Sequence, residues 1–120
     1  MYGLPERSPK SKRVVVDVDD TLCFAEGRDY ENARPNQPLI AKLAAMRRDG
    51  WKVILFTARG QISCQGDLPL ILRTVKPILV EWLERHGVQY DDLLFGKPYA
   101  DLYIDDKGVT PEDFLEWKGE

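Results

Sequence analysis

Acidic side chains crowd one short stretch of the chain. Asp17, Asp19 and Asp20 fill three of four consecutive positions in KRVVVDVDDTLC, residues 12–23. Carboxylates so close repel one another, and holding them beside a buried strand costs stability unless a cation neutralises them. Oxygen ligands of this kind suit a hard cation such as Mg²⁺ and the phosphate chemistry that goes with it. Further reactive side chains follow along the chain: Thr57 in FTARG, Lys97 in FGKPYAD, and Asp105 and Asp106 in YIDD. Together they supply what phosphoryl transfer needs. The Asp17/Asp19 pair offers a carboxylate nucleophile and a second carboxylate for proton work, while Thr57 and Lys97 can hold phosphoryl oxygens and the later acids can bind Mg²⁺.

Each member also has a plain structural reading. Aspartates are common in turns, so the first cluster can be a strand followed by an acidic turn. Thr57 can satisfy backbone at a strand end, Lys97 can be a solvated turn lysine, and Asp105 and Asp106 can form a solvated acidic turn. The set is more telling than its members, because independent turns have no reason to place complementary charges along one edge.

The elements that must position these groups alternate between strand and helix. Val14, Val15 and Val16 are β-branched and apolar, the pattern of a strand buried on both faces in a parallel sheet, and the run ends abruptly in acid. Residues 24–38 are turn-rich and polar, and they read as a loop or small hairpin folded over the acids, with Tyr30 the main anchor after Phe24. From Leu39 the apolar period becomes helical, and Gly50 ends the helix where a terminating glycine is expected. WKVILF, residues 51–56, is a second buried strand broken by Thr57-Ala58-Arg59-Gly60. Residues 61–73 lack a clean period and read as an irregular loop. A helix capped by Thr74 then runs to His86, whose place at a helix C-terminus is a structural one. Short strands over residues 90–95 and 100–104 flank a turn at Lys97, and Thr110-Pro111-Glu112-Asp113 has the chemistry of a helix start. In open α/β sheets ligands bind at the carboxyl ends of strands, which is where the acids and Thr57 fall.

Composition frames this picture. A chain of 120 residues, 43% hydrophobic, is one ordinary globular domain, large enough for one core and too short for two. Residues 1–12 read as a mobile lead-in and residues 13–120 as the single domain. Net charge is -3, so nucleic acid and anionic membrane find no general attraction. Cys23 and Cys64 have neither CxxC nor zinc-ligand spacing and are expected as free thiols. No leader-like or membrane-length apolar stretch occurs, which makes a cytoplasmic location the expectation.

Four motifs in this order, DVDDT, FTARG, the lysine of FGKPYAD, and YIDD, resemble the phosphatase branch of the haloacid dehalogenase superfamily from about Val14 to Phe114. The resemblance implies a three-layer αβα, Rossmann-like domain with a mainly parallel sheet and no large cap. It implies Mg²⁺-dependent hydrolysis of a phosphate monoester through an aspartyl-phosphate. Asp17, Asp19, Thr57 and Lys97 are the catalytic residues on that reading, with Thr57, Ala58, Arg59 and Lys97 at the substrate. Asp17, Asp19 (through its backbone carbonyl), Asp105 and Asp106 would hold the metal. More narrowly, WLERHGVQYDDLLFGKP and the closing IDD are similar to small phosphatases associated with bacterial capsule polysaccharide synthesis, which points to a small phosphorylated metabolite such as a sugar phosphate.

Two rivals stand beside this reading. A nucleotide or polynucleotide 3′-end phosphatase shares the motifs but would be better served by a basic groove than by a net negative chain. A receiver-like signalling module is similar in size and also combines an acidic pair with a later hydroxyl and lysine. It requires a phospho-accepting aspartate at the end of a mid-chain strand, where this chain has Thr57. A dehalogenase would have no use for Asp19 as a proton carrier.

Overall fold

A computed structural model describes residues 12–95, 102–104 and 111–116. The expected mobile lead-in lies almost wholly outside these residues. The backbone is a Rossmann-like α/β domain whose main sheet has four strands among the described residues, all paired parallel. Strand β1 (Arg13–Asp17) is central, followed in sequence by a two-residue strand β2 (Cys23–Phe24), β3 (Arg34–Pro35) and helix α1 (Gln37–Arg48). Then come β4 (Lys52–Phe56), α2 (Leu68–Thr74), α3 (Lys76–Arg85), β5 (Asp92–Leu94), β6 (Leu102–Ile104) and α4 (Pro111–Glu116). The sheet order is β5-β4-β1-β6, so the chain turns from one side of β1 to the other, and such a switch opens a crevice at the carboxyl edge.

Valines and leucines alternate between the two faces of the sheet. Val14, Val16, Val53, Leu55 and Ile104 share one core with Leu39, Leu43 and Met46 of α1, Leu79, Trp82 and Leu83 of α3, and Phe114 of α4. Val15 and Ile54, on the alternate positions, are also buried. Burial of both faces explains why β1 and β4 read as continuous apolar runs.

Two boundaries differ from the sequence expectation, and side-chain caps account for both. Helix α1 starts at Gln37, two residues before Leu39, because the Asn36 side chain accepts from the Leu39 amide at 3.2 Å. Gly50, at φ 98°, leaves the helix in the left-handed region that a glycine takes without strain. The second boundary lies within residues 61–73. Their last part is not irregular: Asp67 caps α2 by accepting from the Leu70 amide at 3.2 Å, and Pro69 sits harmlessly in its first turn. Thr74 therefore closes α2 rather than opening α3, and its hydroxyl donates back to the Leu70 carbonyl at 2.8 Å. Pro77, lacking an amide proton, fits only the first turn of α3 and marks the joint between the two helices.

The chain between β1 and α1 forms a small hairpin rather than an inserted domain. Cys23 and Phe24 pair antiparallel with Arg34 and Pro35, and a 3₁₀ turn over Tyr30–Asn32 crosses between them. Among the described residues no helix is long and apolar enough to cross a membrane.

Candidate active site

Beyond Asp17 the chain reverses almost at once. The Val18 amide still extends the ladder by donating to the Phe56 carbonyl, and the Val18 carbonyl then accepts from the amides of Leu22 and Cys23. Asp20 sits at the reversal with φ 64°, a left-handed conformation that aspartate tolerates better than most residues, and it faces solvent. The tight turn brings Asp19 across to the end of β4, where Phe56 is level with Asp17 in the sheet register.

There the Asp19 carboxylate is held from several sides. The Thr57 hydroxyl donates to Oδ2 at 3.1 Å, while Arg59 Nε reaches both oxygens at 3.0 and 3.1 Å and Nη2 reaches Oδ1 at 2.9 Å. Thr57 is fixed in turn, since its hydroxyl accepts the Arg59 amide at 3.1 Å and its own amide donates to Leu94. The Arg59 side chain is 3% exposed and that of Asp19 33% exposed, so the cation is enclosed and the anion partly open. The ring of Tyr30 covers the guanidinium at 3.9 Å, a stacking that a planar, weakly hydrated cation favours.

Two small residues make this arrangement possible. Gly60 has φ 88°, and a Cβ there would meet Ile71 Cγ1 of α2 at 2.7 Å, so the turn after Arg59 can rest on α2 only with glycine at that position. Cys23 lies behind the pair, with Sγ 3.7 Å from Arg59 Nη2. Burial, then the Asp19 charge, pushes its thiol up to about 11, so Cys23 is an inert packing residue at neutral pH. Cys64 is likewise a free thiol.

A cavity of about 310 Å³ opens in front of Asp19 and Arg59. Arg28 and Tyr30 of the hairpin wall one side, Ala58 and Ser63 the turn after β4, and Val75 and Ile78 the α2–α3 joint. Its size suits a small organic group bound beside the carboxylate.

The structure thus brings Asp19, Thr57, Ala58 and Arg59 together and places Asp17 one strand-end away. Lys97, Asp105 and Asp106 lie outside the described residues. Strand β6 nevertheless ends at Ile104, level with Val16, and Asp105 and Asp106 are the next two residues in sequence. Among the described residues there is no group of three His, Cys, Asp or Glu side chains that could hold a metal. The Asp19 carboxylate is committed to Arg59 and Thr57, and Asp105 and Asp106 lie outside the described residues. An all-oxygen set from Asp17, the Asp19 carbonyl and the acids after β6 still has the chemistry Mg²⁺ prefers. One buried hydroxyl, Thr21 Oγ1, has no hydrogen-bond partner among the described residues.

Over 90% of its length this chain matches 90% of a Vibrio cholerae protein of known crystal structure, at 35% identity and a TM-score of 0.77. The two chains belong to one family. The fold is shared more widely: this chain matches part of the Pnkp1/Rnl/Hen1 RNA repair complex at 21% identity and TM-score 0.60, covering 84% of this chain and 38% of that one. A second structure of the Pnkp1/Rnl/Hen1 complex matches at 23% identity and TM-score 0.55, over 78% of this chain and 32% of that one. These distant likenesses are likenesses of fold alone. No family model and no curated protein matches the sequence.

Arg59 and Tyr30 are the residues whose roles the sequence reading did not reach. Arg59, expected at the substrate, lines the cavity and is in addition the partner of Asp19, and Tyr30, expected as a loop anchor, also covers Arg59. The one available signal was the position of Arg59, two residues past Thr57 on a turn shared with the site.

Proposed function

We propose that the chain hydrolyses phosphate monoesters through an aspartyl-phosphate on Asp17, with a small phosphorylated metabolite such as a sugar phosphate as substrate. The observation that carries this reading is the fixed Asp19 carboxylate, two residues after Asp17, at the rim of a cavity at the carboxyl edge of a parallel sheet. Asp17 attacks phosphorus in line as the bond to the leaving oxygen breaks, and Asp19 delivers a proton to that oxygen. Asp19 then takes a proton from the water that attacks phosphorus, and the Asp17–phosphate bond breaks to release inorganic phosphate. Thr57 and Lys97 hold phosphoryl oxygens, Thr57 by redirecting the hydroxyl that donates to Asp19 in the free protein. Asp17, the Asp19 carbonyl, Asp105 and Asp106 would hold Mg²⁺, which would supply charge neutralisation for the transferring group. The leaving group occupies the cavity between the hairpin and the α2–α3 joint.

The fold likeness to part of an RNA repair complex, together with Arg28 on the cavity wall, favours a second substrate class, the phosphorylated 3′ end of a polynucleotide. A panel of phospho-sugars, nucleotides and 3′-phosphorylated oligonucleotides, assayed with Mg²⁺, decides between them.

Acid-quenched single turnovers with labelled substrate test the chemistry. Asp17→Asn is expected to retain no label, whereas Asp19→Asn slows both half-reactions by roughly 10² to 10⁴. Label held by the Asp17→Asn protein, or full turnover after exhaustive chelation, would overturn the reading.

A further inference from the structure

We propose that Tyr30 is a positioning residue for the proton transfer by Asp19, acting through Arg59, an inference that rests on the phosphatase reading of the site. The Asp19 carboxylate receives Arg59 along Nε and Nη2, so the guanidinium sets its plane, and Oδ2, which also accepts Thr57 in the free protein, opens when that hydroxyl turns to the phosphoryl group. A carboxylate so oriented presents its open side in one direction, and a proton delivered to a leaving oxygen needs that directional control. The control is only as firm as the guanidinium that provides it.

That guanidinium borders a cavity. Tyr30 lines the same cavity, and its ring lies 3.9 Å from Arg59 Cζ, closing the face that would otherwise meet water. The ring is itself held from outside the site. Trp82 Nε1 of α3 donates to the Ala33 carbonyl at 3.0 Å in the core, and Arg85 of the same helix donates to the Glu31 carbonyl at 3.1 Å. Asn32 donates to Asp29 at 3.0 Å and closes the 3₁₀ turn on itself. Helix α3 therefore fixes the hairpin, the hairpin fixes Tyr30, and Tyr30 keeps Arg59 dry and in one rotamer against Asp19. The hairpin is thus tied to α3 through two of its main-chain carbonyls. Nothing in the stacking uses the tyrosine hydroxyl, so the aromatic ring is the required feature.

The step at stake forms the Asp17–phosphorus bond, breaks the bond from phosphorus to the leaving oxygen, and moves one proton from Asp19 to that oxygen. Alkoxide leaving groups need the proton; p-nitrophenolate departs without it. Loss of a merely structural residue would slow both equally.

The test compares first-turnover leaving-group release from glycerol phosphate and from p-nitrophenyl phosphate in wild type, Tyr30→Ala and Tyr30→Phe. Tyr30→Ala is expected to lower the rate on the alkyl ester about tenfold or more, with KM within about twofold, and the rate on the aryl ester by less than about threefold. Tyr30→Phe is expected to restore both. The Arg59 Nε–H resonance, followed by NMR without substrate, should be sharp and slow to exchange in wild type and Tyr30→Phe and broadened in Tyr30→Ala. Equal losses on the two esters, failure of Tyr30→Phe to restore, or an unchanged Arg59 resonance in Tyr30→Ala would each overturn the proposal. If Asp19→Asn shows the selective loss on the alkyl ester and Tyr30→Ala does not, the proposal fails while the phosphatase reading stands; if wild type cleaves neither ester, both fall.

Discussion

Strand β4 carries an arginine–aspartate pair near each end, and the two pairs are built in opposite ways. Beyond its carboxyl end, Arg59 and Asp19 meet at 2.9 Å with the arginine 3% and the aspartate 33% exposed. Near its amino end, Arg47 and Asp91 meet at 3.1 Å with the arginine 41% and the aspartate 27% exposed. At the amino end the carboxylate turns inward: Asp91 Oδ2 accepts the Val53 amide at 2.8 Å, and the Asp91 amide returns a bond to the Val53 carbonyl. That aspartate joins β4 to the start of β5, with the arginine trimming its charge from the solvent side. At the carboxyl end the arginine is the inward partner and the carboxylate looks into a cavity. Burying the cation and leaving the anion reachable is a poor way to hold two strands together, since a desolvated charge returns little net stability. It is a good way to aim a carboxylate at something that enters.

Replacing each arginine in turn gives the largest contrast. Arg59→Met frees Asp19 and should slow alkyl phosphate hydrolysis about 10²-fold, with a stability loss of about 1–3 kcal/mol from the vacated pair. Arg47→Met should leave the rate unchanged and cost less than about 1 kcal/mol, as exposed pairs do. Steady-state rates and urea melts on both variants measure this, and equal effects on activity would erase the distinction between the two ends.

How far the sequence foretold each end follows from the reach of the interactions. Strands β1 and β4 were legible because burial on both faces leaves a β-branched or apolar run, and Asp17, Asp19 and Thr57 stood out as candidates because polar side chains break those runs at the carboxyl edge, where such sheets bind ligands. Helix α2 was missed because Asp67 and Pro69 look like loop residues until a cap is recognised. The pairing of Arg59 with Asp19 spans 40 positions, and that of Asp91 with Val53 spans 38; no local pattern encodes either. A buried arginine is also invisible to composition, because arginines are ordinarily exposed. Lys97, Asp105 and Asp106 lie outside the described residues, so their places in the site rest on the motifs.

The smallest expected effect belongs to the amino end and is a matter of pH. Burial pushes the Asp91 carboxyl upward, but the Val53 amide and the Arg47 guanidinium outweigh it and hold the group below its ordinary value of 3.8. A carboxyl depressed in the folded protein contributes stability above its unfolded pKa, and that contribution disappears as pH falls through the folded pKa. Asp91→Asn keeps an oxygen for the Val53 amide and loses the charge, so it should cost about 1 kcal/mol at pH 7, discounted for partial exposure. The gap between wild type and variant should then narrow as pH drops below about 4, because the wild-type carboxyl is becoming neutral too. Urea melts of both proteins from pH 7 to pH 3 follow the gap directly. A gap that stays constant over that range would mean that the shape of Asp91, and not its charge, fastens β4 to β5, and the contrast between the two ends would then lie in geometry alone.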